Sequence, residues 1–88
     1  MEARRILHTG VVRQNGRPAA GAFVWVASGT GPTPEIAVVC DEEGRFRLAL
    51  PPGRFEIRAR SVEGKEGRIE TTAGDEPLHI EVEVGGPE

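Results

Sequence analysis

The sequence has no tyrosine, and only one cysteine, one tryptophan and one lysine among 88 residues. With Cys40 alone, no disulfide can close within the chain and no cysteine-based zinc site can be assembled. No apolar run reaches the roughly 18 residues that mark a membrane-spanning helix, so no membrane insertion is expected. The opening MEARRILHTG carries two arginines with no apolar stretch behind them, unlike a secretory signal. A complete chain of this kind is expected in the cytoplasm, and a piece of an exported protein outside it. An excess of basic charge is missing as well. The formal net charge is -3, which argues against nucleic acid as a partner, because phosphate binding rests on a positive surface. Helical periodicity is absent too: no stretch keeps apolar residues at i, i+3 and i+4 long enough to form a helix.

What the chain does have is turn residues at short intervals, with Gly 12 and Pro 7, and between them runs that alternate apolar and polar with period two. Strands are expected at 6–13, 22–28, 35–40, 45–50, 54–62, 68–73 (a weaker one) and 78–84. The loops are NGRPAAG at 15–21, GTGPTP at 29–34, DEEG at 41–44, PPG at 51–53, EGKEG at 63–67 and GDEP at 74–77, with a tail GGPE. Asn15-Gly16 favours positive φ, and Pro18 cannot join a central ladder. Alternation points Phe46, Leu48 and Leu50 inward, and likewise Phe55, Ile57 and Ala59, and Leu78, Ile80, Val82 and Val84. Phe46, Leu48, Phe55, Ile57, Ile80 and Val82 are expected to be nearly buried. Seven short strands, each with one wet face, imply one all-β domain over 1–88, with its core at 6–84. The strands would form two antiparallel sheets packed face to face.

The order of these signals resembles the carboxypeptidase regulatory-like domain of the transthyretin-like folds. GVVRQNGRPAAGAFVWV followed by DEEGRFRLALPPGRFEIRAR carries the likeness, through Gly10, Val12, Gly16, Pro18, Gly21, Ala22, Val24, Val26, Gly44, Phe46, Leu48, Pro52, Gly53, Phe55 and Ile57. The resemblance covers about residues 6–84. It implies a seven-stranded Greek-key β-sandwich in which 22–28 lies beside 54–62, while 45–50 and 54–62 belong to different sheets. It also implies an accessory module without catalysis of its own.

Chemistry-bearing residues are few and scattered. GRPAAG at 16–21 is also similar to a loop of the 5-hydroxyisourate hydrolases, and His8 lies just upstream. Counting back from that loop puts their histidine at Thr9, on the opposite face of a strand, and their Tyr-Arg-Gly-Ser ending has no counterpart here. His8 and His79 read as a histidine at an end of the sandwich and one on its surface, and Cys40 as a small packed residue. The clusters Asp41, Glu42, Glu43 and Asp75, Glu76 lack the alternating spacing of a calcium loop. No catalytic residue, metal site or cofactor is expected. The arginines at 45, 47, 54, 58 and 60 read as cross-strand ion pairs split between two sheets. The feature that stands out is parity on 22–28. With Ala22, Val24 and Val26 inside, Phe23 and Trp25 point outward together, bordered by Arg58 and Arg60. These four residues form the expected binding surface. The expected function is a non-catalytic protein-interaction module, with self-association included. A carbohydrate-binding module is the alternative and a hydroxyisourate hydrolase a distant third.

Overall fold

The computed structural model describes residues 5–30 and 37–85. Eight strands and no helix are found among them: β1 (Ile6–Gln14), β2 (Arg17–Pro18), β3 (Phe23–Gly29), β4 (Ala37–Val39), β5 (Arg45–Leu50), β6 (Gly53–Arg60), β7 (Glu66–Ala73) and β8 (His79–Val84). Strand β2 lies within the expected NGRPAAG loop. Asn15 and Gly16, at φ 55° and 76°, turn the chain so tightly that Gln14 pairs with Arg17 and Arg13 with Pro18, the two-residue hairpin that Asn-Gly favours. Most of the expected GTGPTP loop, the start of the 35–40 strand and the last three tail residues lie outside the described residues.

The strands form two four-stranded sheets packed as a sandwich. In the first, β1 is central. One edge of β1 takes β5 over Ile6–Val11 and then β2, both antiparallel. Its other edge takes β8 in parallel, from Thr9↔His79 to Gln14↔Val84. Every other strand pair is antiparallel. The second sheet runs β4-β3-β6-β7. The positions of 22–28 beside 54–62, and of 45–50 in the opposite sheet, are as the resemblance implied.

The core is what the alternation predicted. Phe46, Leu48, Leu50, Phe55, Ile57, Ile80, Val82 and Val84 are all buried, with Val12, Val24 and Val26, while Arg45 and Arg47 are exposed. Most strand bounds shift by one or two residues, and β7 and β3 show why. Residues 66 and 67 belong to β7 because the turn closes earlier: Ser61 N–H donates to Lys65 O at 2.8 Å, and Ser61 Oγ accepts from Lys65 N–H at 3.1 Å. In β3 an extra residue between Val26 and Ser28 makes a bulge, which places Ser28 opposite Glu56, with Ser28 Oγ 3.4 Å from its Oε1.

Candidate functional site

The outer face of the second sheet is built by strand parity. Inward-pointing Val24, Val26, Ile57 and Ala59 are buried, so their neighbours Phe23, Trp25, Arg58 and Arg60 must point the other way. The ladder then sets them side by side. Phe23 lies opposite Arg60 on β6 and Val39 on β4; Trp25 lies opposite Arg58 and Ala37. Phe23 is 53% exposed and Val39 60% exposed, while Trp25 is half-buried. Val62, 76% exposed, follows Arg60 at the same end of the sheet. Its Cγ1 sits so near Gly21 that a Cβ there would lie 3.2 Å away. Of the four large hydrophobic side chains that stand exposed among the described residues, Phe23 and Val39 are therefore cross-strand neighbours, and Val62 lies by Gly21 near the same end of that face. Leu7, on the first sheet, is the fourth.

Val39 and Val62 were missed by the sequence reading, which assigned no facing to 35–40 and carried β6 through Val62 into the turn. The signal for Val39 was there: Cys40 is a small buried residue, and alternation from it turns Val39 outward.

Charge on this face is ordered around Glu56. Its Oε2 accepts from Arg58 Nε at 3.0 Å and lies 3.7 Å from Arg68 Nη1. The Arg58 hydrogen bond, aided by the charges of Arg58 and Arg68, holds the Glu56 carboxyl below its ordinary range. Arg58 is thus turned along its own strand. The five arginines do not form one patch: Arg45 and Arg47 lie on the outer face of the first sheet, and Arg54, Arg58 and Arg60 on the second. Arg45 pairs with Glu43 at 3.2 Å.

The groups that chemistry would need lie apart. His79 is exposed, 3.5 Å from Glu81. Cys40 is buried, and burial together with the Asp41 charge pushes its thiol up to about 11, which leaves little thiolate near neutrality. Among the described residues, no three His, Cys, Asp or Glu converge as a metal site would require. Thr9, the position where the hydrolases' histidine would fall, is exposed on the outer face of the first sheet.

His8 is fully buried, inward-facing beside Leu48 near the start of β1. Its Nδ1 accepts from Leu78 N–H at 2.9 Å. The ring proton of the neutral form therefore sits on Nε2, which has no hydrogen-bond partner. Burial lowers the His8 pKa from its ordinary 6.5, because a charged imidazolium there would be desolvated. In the unfolded chain His8 takes up its proton at higher pH than in the fold. Stability is therefore complete above about pH 6.5 and falls as the pH drops from there toward the lowered folded value. Melting temperatures of the wild type measured between about pH 7.5 and pH 5 should fall, and His8→Leu should flatten that slope. An equal slope in the variant would remove His8 as its cause. Glu56 and Asp41, both lowered, act in the same direction at lower pH.

The family model of the carboxypeptidase regulatory-like domain matches residues 8–85. No curated protein matches the chain. Among solved structures, a DUF3823 family protein from Parabacteroides merdae is similar with a TM-score of 0.64 at 15% identity, over 94% of this chain and 47% of that one. At that identity the likeness is one of fold, and this chain spans about half the length of its structural neighbour.

Proposed function

Because the chain belongs to the carboxypeptidase regulatory-like domain family, we propose that it is an accessory β-sandwich module that acts by contact rather than by catalysis. Its working surface in this reading is the outer face bearing Phe23 and Trp25, with Arg58 and Arg60 as the polar rim. The observation that carries the reading is the exposed cross-strand pair Phe23 and Val39, with exposed Val62 near the same end of that face. Scattered apolar residues on a surface are ordinary, whereas a contiguous group beside a large aromatic marks a contact site. Aromatic and arginine side chains are also the residue types that dominate binding energy where interfaces are measured. A protein partner fits better than a saccharide. Sugar stacking would use the faces of Trp25 and Phe23, and the aliphatic area of Val39 and Val62 would be left without a role.

The test is paired. Trp25→Ala is expected to change folding stability by about 1 kcal/mol or less, as surface substitutions do, while weakening capture of the partner. Thermal melting followed by pull-down and sedimentation on wild type and variant separates the two effects. A loss of ~3–5 kcal/mol, the cost of truncating a large core side chain, would make Trp25 a structural residue and leave the surface without its principal anchor. Binding of a glycan that Trp25→Ala abolishes would move the assignment to carbohydrate.

A further inference from the structure

Strand β7 is an edge. Strand β6 pairs with it along its whole length, from Gly53↔Ala73 to Arg60↔Glu66, and among the described residues no strand takes its other side. The phase of its backbone follows from the turn. Ser61 N–H donates to Lys65 O, so 61 and 65 form a hydrogen-bonded pair. Counting by two, Gly67, Ile69, Thr71 and Ala73 spend their backbone groups on β6. The N–H and C=O groups of Glu66, Arg68, Glu70 and Thr72 point away from the sheet. The phase has an independent check, since Glu66 C=O accepts from Gly85 N–H at 3.1 Å. The outward groups of Arg68, Glu70 and Thr72 have no backbone partner among the described residues. Edges are blunted by proline, bulges, shortness, covering segments or charged side chains; β7 carries charge at Glu66, Arg68 and Glu70, and its Glu66 end meets Gly85. Strand β4, at the other edge of the sheet, has three residues; β7 has eight, with neither proline nor bulge. Its inward residues Gly67, Ile69 and Thr71 are only half covered.

We propose that this edge receives the β7 strand of a second copy of the chain, antiparallel, with the two-fold axis at Ile69. Antiparallel pairing is what a closed two-fold dimer requires. Outward backbone groups sit on even-numbered residues, so even must face even, and the choice among registers falls to charge. Centred on Ile69, Arg68 of each copy faces Glu70 of the other, twice by symmetry, and the ladder is confined to residues 68–70, because the Glu66 C=O that would face Thr72 is held by Gly85 N–H. A shift by one pair in one direction sets Glu70 against Glu70; in the other it sets Arg68 against Arg68 and Glu66 against Glu70. Like charges directly opposite each other destabilise a strand pair. Arg68 is largely exposed, and the exchange would compete with its 3.7 Å ion pair to Glu56. The join links the two four-stranded sheets into one of eight strands and covers the half-exposed Ile69. It uses an edge opposite the strand that carries Val39, so the Phe23–Trp25 face stays open on both copies. A strand-edge contact is small, which puts this dimer among weak interfaces.

The test is a charge exchange read by sedimentation over a concentration series reaching the millimolar range. Arg68→Glu and Glu70→Arg should each weaken association about tenfold, since each sets like charges opposite at two symmetric places. The double variant, Arg68→Glu with Glu70→Arg, should recover wild-type association. Melting curves confirm that all three variants fold. Trp25→Ala should leave this dimer intact, which separates its failure from failure of the contact surface proposed above. A wild type that stays monomeric at millimolar concentration, or a double variant no better than the singles, would overturn the proposal.

Discussion

Phe46→Ala is expected to bring the domain close to its unfolding midpoint near room temperature. Phe46 is almost wholly buried, and its ring lies directly over Gly10: a Cβ on that glycine would overlap the ring at Cζ. Removing the ring therefore leaves a space bounded on one side by bare backbone, with no side chain at Gly10 to relax into it. Phenylalanine truncation costs ~3–5 kcal/mol, most where the site cannot collapse, and this site favours the upper end. Small domains have on the order of 5 kcal/mol in reserve. Denaturant melts should show the loss as a lowered midpoint or a missing transition. A cost below about 2 kcal/mol would mean that Ile80 and the neighbouring core close the gap.

A second large effect is expected at Gly67, where the two sheets touch backbone to backbone. A Cβ there would overlap the carbonyl oxygen of Glu83 and come within 2.8 Å of its carbon and 3.0 Å of Val84 Cα. No rotamer change relieves a clash with main chain, so β7 and β8 must separate and the Gly85–Glu66 hydrogen bond with them. Gly67→Ala should cost about 3 kcal/mol or more, at the top of the range for overpacking. The sign makes the test sharp. In an ordinary strand the same change gains about 0.5–1 kcal/mol by lowering backbone entropy. A neutral or stabilising result in a denaturant titration would show that the sheets stand further apart at this corner.

How much was legible in the sequence follows from how local each signal is. Phe46 against Arg47, and Phe55 against Glu56, state their faces within a few residues, because one side of each strand is dry. The same parity put Phe23 and Trp25 outside. Residues 6–13 were harder: Val11 and Val12 are both buried, which blurs the alternation and hid that His8 shares the inward side with Val12. Strand β7 read as weak because its inward positions at the rim of the sheet are glycine, isoleucine and threonine, which are only half covered. The placing of Val39 beside Phe23, and of Val62 near the same end of the face, depends on pairing across loops, and no spacing rule within one strand carries that information. Nor does any local pattern announce that the first and last strands are neighbours.

That last pairing has a mechanical consequence. Strands β1 and β8 lie side by side and run the same way over six residue pairs. The chain therefore enters the sandwich at one end and leaves it at the other. Tension applied through its two ends would try to slide these strands past each other. The evenly spaced bonds of the parallel ladder would share the load at once, whereas a hairpin pulled from its open end gives way one bond at a time. Strung between neighbours in a longer polypeptide, such a unit would act as a stiff link, and its endurance under force would be set by how slowly this ladder shears.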